Sequence, residues 1–366
     1  MGKIGILTFH EAINYGAVMQ AYALKKAIGD SAEIIPYRSQ HIHDGYNLIR
    51  RFKNASLKGK ISFLLFENVG AYIKKRKFEQ FVEKYLEVNK AISGSEIVNY
   101  VNRYDVVVTG SDQVFNPDCT GEDYVYFLDI PGMESKRVSY AASFGSDMIR
   151  KEYRERIKNC LNSFDDISVR EHAGQEIVKK IANREAQLVL DPTLLIDRAY
   201  WDKLAVLPKT KQPFVFVYAI EPDLELVKFA KEVAGTSRKI IYVGPWMRHL
   251  PKGIKRIEAC GPQEWLGFIR NAELVVTNAF HGIALSLAMM KQVYIGYPPN
   301  AGMSANDRLK NIVSIFQLEN RIYTQCDLQS KIDYDSVNSK MNLARTESLD
   351  FIKNCIINKS SCSEKK

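Results

Sequence analysis

The sequence has no closely spaced cysteine pair. Cys119, Cys160, Cys260, Cys326, Cys355 and Cys362 are scattered along 366 residues without a CxxC. That spacing speaks against zinc-binding and thiol-redox motifs and gives no disulfide framework, so a reducing cytoplasm is the simplest setting and no metal is expected. There is also no apolar run near the roughly 18 residues that a membrane-spanning helix needs. The apolar stretch from Ile4 to Phe9 is too short for a secretory signal and is followed at once by His10 and Glu11. Internal repeats, low-complexity tracts and nucleic-acid recognition motifs are lacking as well. What is present is 46% hydrophobic and 25% charged residues, the composition of a globular protein long enough for two domains of ordinary size.

Short apolar runs alternate with helical patterns through most of the chain. Strands are expected at 3–9, 32–36, 104–109, 137–142, 166–169 and 187–190, with helices at 15–28 and 171–181. The segment Pro208-Lys-Thr-Lys-Gln-Pro213 is polar and bracketed by prolines, and reads as a linker. A second alternation follows, with strands at 214–219, 239–243, 273–277 and 292–295 and helices at 224–234, 262–270, 282–290 and 307–316. Strand-then-helix order predicts parallel, doubly wound sheets. The expected class is therefore α/β, two Rossmann-like domains facing a cleft in the arrangement called GT-B. The expected domains are 1–207 (the acceptor side, with a basic helical insertion at about 48–82), 213–325, and a C-terminal helix and polar tail at 326–366.

In such sheets a ligand sits at the carboxyl ends of the strands, against helix N-termini. The strongest signal of this kind is Leu274-Val-Val-Thr-Asn-Ala-Phe-His-Gly282, a buried strand running into a helix start. His281 there has a helix dipole and free backbone N–H groups beside it, which favour an anion, and it can exchange a proton near neutral pH. Asn278 and Gly282 are expected to bind substrate with it. Arg170 follows the expected strand at 166–169. An arginine there is costly to bury without an anion, and its planar fork suits a carboxylate or phosphate. An internal bridge to Asp191 is the alternative, and both can hold together. Further candidates are Asn14, Tyr15 and Gly16 after the first strand, Ser111, Asp112 and Gln113 after the strand at 104–109, Ser143, Phe144 and Gly145 after the strand at 137–142, and Arg308 at the start of the helix at 307–316. Ordinary turns, tight sheet–helix packing and helix caps are the structural alternatives at these positions.

The motifs Thr8-Phe-His, Asn14-Tyr-Gly-Ala17, Val108-Thr-Gly-Ser-Asp-Gln-Val-Phe-Asn-Pro117, Tyr140-Ala-Ala-Ser-Phe-Gly145, Ser168-Val-Arg-Glu171, Leu190-Asp-Pro-Thr193 and Val276-Thr-Asn-Ala-Phe-His-Gly282, in this order, resemble the polysaccharide pyruvyl transferase family from about Lys3 to about Ile322. The resemblance implies a phosphoenolpyruvate-dependent enzyme that places a pyruvate ketal on a sugar of a capsule, exopolysaccharide or cell-wall polymer, with a GT-B-like fold and no firmly required metal or cofactor. Phosphoenolpyruvate is then a co-substrate. The family's arginine matches Arg170 and its histidine matches His281. Members often carry an acidic residue where this chain has Ala17, so any role of that acid is absent here. Under this resemblance His281 is the general acid or base, Arg170 holds the anion, and Asp112 is a base for the sugar hydroxyl.

The net charge of +9 is concentrated. Between Arg50 and Lys77 nine basic residues stand against Glu67 alone, and the segment also holds Ile61-Ser-Phe-Leu-Leu-Phe66. Basic residues around an apolar and aromatic core suggest peripheral contact with an anionic membrane face, or with a polyprenyl-diphosphate-linked glycan acceptor. A helical pair packed on its own domain, with a solvated basic side, is the alternative. No nucleic-acid partner is expected. Two other functions suit the same expected fold: a nucleotide-sugar glycosyltransferase and a non-catalytic glycan-binding protein.

Overall fold

The computed structural model describes residues 2–45, 68–210, 212–299 and 306–358. The chain divides into two compact units. Unit 1 comprises Met1–Asn54, Glu79–Ile196 and Leu343–Lys366, and unit 2 comprises Ala55–Phe78 and Asp197–Asn342.

Unit 1 is built on a six-stranded parallel sheet. Its strands are β1 (Ile4–Leu7), β2 (Ala32–Ile34), β3 (Val106–Asp112), β4 (Lys136–Ala142), β5 (Asp166–Val169) and β6 (Gln187–Leu188), in the order β2-β1-β3-β4-β5-β6. β1 and β3 are buried along their whole length, as expected of near-continuous apolar runs in a parallel sheet covered on both faces. Helices α1 (Tyr15–Ile28), α2 (Asn68–Phe81), α3 (Arg154–Asn162) and α4 (His172–Ala182) occur along this part of the chain; α2 runs across the division between the units. The order of the sheet reverses between β1 and β3. That crevice is the topological switch point, where loops diverge and leave room for a ligand.

Unit 2 has a five-stranded parallel sheet: β7 (Phe214–Tyr218), β8 (Lys239–Val243), β9 (Ile254–Arg256), β10 (Leu274–Thr277) and β11 (Val293–Ile295), in the order β11-β10-β7-β8-β9. Its helices include α5 (Leu224–Ala234), α6 (Pro262–Asn271), α7 (Phe280–Ala288) and α8 (Asp307–Phe316), and α9 (Tyr334–Phe351) leads back towards unit 1. Its switch point lies between β7 and β10.

The junction differs from the expected linker. The units divide at Ile196/Asp197, so 208–213 lies within unit 2. The reason is packing: the segment after Asp197 is tied to α6 by Arg270 Nε to Asp202 at 2.7 Å, by Gln263 Nε2 to the Leu204 carbonyl at 3.0 Å, and by Val206 N to the Gln263 carbonyl at 2.9 Å. The C-terminal region is likewise not a separate appendage. Ser348 Oγ accepts from Leu190 N at 2.9 Å, Arg345 Nε donates to the Leu194 carbonyl at 2.9 Å, and the Phe351 ring lies 6.1 Å from that of Tyr140, all within unit 1.

Most of the basic segment from Arg50 to Lys77, including Ile61–Phe66, lies outside the described residues. Of the part that is described, Val69 and Tyr72 are exposed on α2. Lys77 is directed into unit 2: its Nζ meets both oxygens of Glu264 at 2.7 Å and the Ala259 carbonyl at 2.9 Å. No helix among the described residues is long and apolar enough to cross a membrane.

Candidate functional sites at the two switch points

The carboxyl ends of β3, β5 and β6 in unit 1 converge on one guanidinium. Arg170, immediately after β5, is buried and donates from Nη1 to Asp191 Oδ2 at 2.7 Å and from Nη2 to Asp112 Oδ1 at 3.4 Å; its Nε stands 3.7 Å from Glu171 Oε2. Asp191 is fixed from its other side by Thr193 N and Thr193 Oγ1 (3.0 and 2.6 Å), and Ser111 Oγ donates to its Oδ2 at 3.2 Å. Burial alone would lower the Arg170 pKa, but the carboxylates of Asp191, Asp112 and Glu171 outweigh it and hold the value above the ordinary one. Three carboxylates thus lie within 4 Å of the one guanidinium. The internal bridge to Asp191 is therefore present, and Arg170 is engaged by it and by Asp112.

Asp112 holds an unusual backbone, with φ of 75°, and Ala141 on β4 has φ of 48°. Non-glycine residues seldom occupy that left-handed region, and they collect at functional sites. The Gly110–Ser111 peptide is cis. A Cβ at Gly110, where φ is 118°, would stand 2.1 Å from the Tyr140 carbonyl oxygen, so only glycine lets β3 and β4 approach this closely.

The other unit 1 candidates divide by burial. Gln113 is half-buried and accepts from Asn116 Nδ2 at 3.1 Å. Gly145 presses against that pair; a Cβ there would stand 2.1 Å from Gln113 Oε1. Ser143 is consumed internally, donating its N–H to the Asp112 carbonyl at 2.9 Å and accepting from Gly145 N at 3.1 Å. Phe144 is core, its ring 5.3 Å from that of Phe115. Asn14 caps α1, accepting from Ala17 N at 3.3 Å, while Tyr15 and Gly16 are buried in the first turn.

One residue of the Thr8-Phe-His motif that is not among the candidate site residues stands just after β1. His10 is 1% exposed, its Nδ1 lies 3.2 Å from the Thr8 carbonyl, and its Nε2 has no hydrogen-bond partner among the described residues. Burial, the largest cause, pushes its pKa below the ordinary value. Thr8 Oγ1 donates to the Ser111 carbonyl at 3.3 Å and accepts from Gln20 Nε2 at 2.7 Å, and Gln20 Oε1 in turn accepts from Ser111 N at 3.1 Å. The loop after β1 is thus stitched to the end of β3 across the switch point.

In unit 2 the switch point is closed by Asn278, whose Oδ1 accepts from Ile220 N at 3.0 Å. A backbone N–H can only donate, so this contact fixes which amide atom is oxygen. The Nδ2 group then carries two N–H donors, and it has no partner among the described residues, in a side chain that is fully buried. α7 begins two residues later with no acidic residue in its first turn and no side-chain cap. Gly282 lies against β10, where a Cβ would stand 2.3 Å from Thr277 Oγ1. His281 is in that first turn, 9% exposed, with its ring edge-on to Phe280 at 5.1 Å. Arg308 is half-buried in the first turn of α8.

Two parallel α/β units in tandem define the class, the GT-B-like fold. Solved structures of similar fold include MnaA of S. aureus in a co-structure with UDP (10% identity, TM-score 0.51, 95% of this chain and 90% of that chain covered). Another is a Listeria monocytogenes protein assigned as a UDP-N-acetylglucosamine 2-epimerase (11% identity, TM-score 0.50, 100% and 97% covered). No curated protein matches the chain. The family model described as Polysaccharide pyruvyl transferase matches residues 14–295, and the chain belongs to that family.

Proposed function

We propose that the protein transfers the three-carbon group of phosphoenolpyruvate to a glycan, forming a pyruvate ketal on two sugar hydroxyls. Beyond family membership, the reading is supported chiefly by the opposite polarity of the two switch points. In unit 1 three carboxylates surround the Arg170 guanidinium, a setting for neutral hydroxyls. In unit 2 an uncapped helix N-terminus stands beside an amide donor fixed in orientation, a setting for an anion.

In this proposal the carboxylate and phosphate of the donor are received by α7 and Asn278 Nδ2. His281 protonates C3 of the enol, which leaves C2 electron-poor. A sugar hydroxyl forms a bond to C2 and gives its proton to Asp112, held in place by Arg170. The C2–O bond to phosphate then breaks, the oxygen leaving with the electron pair, and a second hydroxyl closes the ketal at C2. Of the two hydroxyl protons, one returns to His281 and one leaves with phosphate, so one diol and one phosphoenolpyruvate yield one ketal and one inorganic phosphate. In this proposal Arg170 acts as a positioning residue for Asp112.

The acceptor proposed is a polyprenyl-diphosphate-linked glycan, and the basic segment from Arg50 to Lys77 would bring the protein to an anionic membrane face. Salt-insensitive or absent sedimentation with anionic vesicles would speak against that contact. The central experiment incubates the protein with phosphoenolpyruvate and a panel of lipid-linked glycans. Phosphate release, with mass spectra showing addition of pyruvate less one water, is the expected result. Release of a nucleotide from a sugar nucleotide, without consumption of phosphoenolpyruvate, would favour a glycosyltransferase.

A further inference from the structure

His10 is a buried group that the proposed reaction leaves unused. Its Nδ1 faces the Thr8 carbonyl at 3.2 Å, and a carbonyl oxygen can only accept. The proton of the neutral ring therefore sits on Nδ1, and Nε2 presents a bare lone pair. That lone pair is buried and has no partner among the described residues. A buried acceptor left unmatched is costly, and such a cost in a native fold calls for a counterpart. The surrounding charges on the ring are Glu11, which favours protonation, and Arg38, which opposes it; these two are paired with each other at 2.9 Å. Burial prevails, so the ring is held neutral and its lone pair is kept available.

The position gives that lone pair a meaning. Thr8, which holds the His10 ring through its carbonyl, is bound through its side chain to Ser111, next to Asp112. A lone pair selects for a donor. Phosphate dianion and carboxylate offer only acceptors, whereas a sugar offers hydroxyls. We infer that His10 is a substrate-recognition residue of unit 1, its Nε2 accepting a hydrogen bond from a hydroxyl of the glycan acceptor. This rests on the reading that unit 1 receives the hydroxyl-bearing substrate. The ring is 1% exposed, so the inference requires that the acceptor's hydroxyl reach Nε2 on binding.

Two measurements on the full chain test it. The first labels the six histidines with ¹⁵N and follows the Nε2 resonance of His10, assigned by its loss in H10N and H10Q, as methyl hexopyranosides or phosphoenolpyruvate are added. A shift with a sugar and none with phosphoenolpyruvate alone is expected; an unmoved resonance at saturating concentrations of every sugar overturns the inference. The second compares kinetics. His10→Asn keeps an amide able to reach the Thr8 carbonyl but removes Nε2, and the KM for the acceptor should rise about tenfold, equivalent to about 1.4 kcal/mol, with the KM for phosphoenolpyruvate unchanged. His10→Gln, whose amide reaches the Nε2 position, should recover part of that loss. An unchanged acceptor KM, or an equal rise in both constants, overturns the inference. If H10N does not fold, the resonance of the parent protein decides. If the parent never consumes phosphoenolpyruvate, pyruvyl transfer fails as a reading, while the resonance still decides the role of His10.

Discussion

Arg170 and Asp191 form a buried ion pair, Nη1 to Oδ2 at 2.7 Å, with both side chains almost fully removed from solvent. Each charge depends on the other, and Asp112 depends on the same guanidinium. Removing one partner of a buried pair typically costs about 3–5 kcal/mol, because a charge is left without compensation. Arg170→Ala is accordingly expected to lower stability by about that amount, as well as to abolish turnover. Urea unfolding of the variant checks the first part; a loss below about 1 kcal/mol would show that Asp191 and Asp112 are held by something else.

His281 should behave differently. It stands in the first turn of α7 beside a phenyl ring. His281→Gln is expected to reduce kcat by about 10²–10⁴, the usual worth of a positioned general acid or base, while the urea midpoint stays near that of the parent. Turnover within a few-fold of the parent would remove the histidine from the chemistry.

Asn278→Asp separates the two ends of one side chain. The carboxylate keeps an oxygen for Ile220 N but exchanges the donor group for negative charge. If Nδ2 receives an anion, the KM for phosphoenolpyruvate should rise at least about tenfold, or 1.4 kcal/mol, with the acceptor KM unaffected. Initial rates with each substrate varied in turn provide the measurement, and equal donor affinities in parent and variant contradict the assignment.

His10 gives a pH dependence of definite sign. Its folded pKa lies below the ordinary value of about 6.5, chiefly through burial. The unfolded chain therefore takes up a proton at a higher pH than the folded one. This contribution to stability is complete above pH 6.5 and is lost as pH falls from there through the folded value. Urea midpoints at pH 7.5 and 5.5 should show a larger acid loss for the parent than for H10N. Identical losses would mean that the ring is not held neutral by burial.

Much of this was legible before the fold was seen. β3 and β7 announce themselves because Val106–Val108 and Phe214–Tyr218 are unbroken apolar runs. The placement of His281 in the first turn of a helix following a strand also follows from local pattern. β9 does not, being three half-exposed or exposed residues at a sheet edge. The junction at Ile196/Asp197 is set by the seating of 198–204 on α6, a tertiary matter that two prolines at 208 and 213 obscure. Arg170 was readable as either an anion clamp or a bridge. Asp191 was nameable as a partner from its place after the next strand, whereas the convergence of Asp112 and Glu171 depends on how three strand ends bend. His10 could be quoted in the Thr8-Phe-His motif but given no role: a histidine after a strand says little until the Thr8 carbonyl is seen to occupy one of its two nitrogens.

Ser348, Arg345 and Phe351 fasten onto Leu190, Leu194 and Tyr140, so the half of the molecule that is translated first is finished by a helix translated late. On the ribosome, the opening sheet must wait with one flank bare while all of unit 2 is synthesised. Nascent chains halted shortly after residue 342 should therefore be open to proteases within the first two hundred residues, and become resistant there only once the returning helix has cleared the exit tunnel.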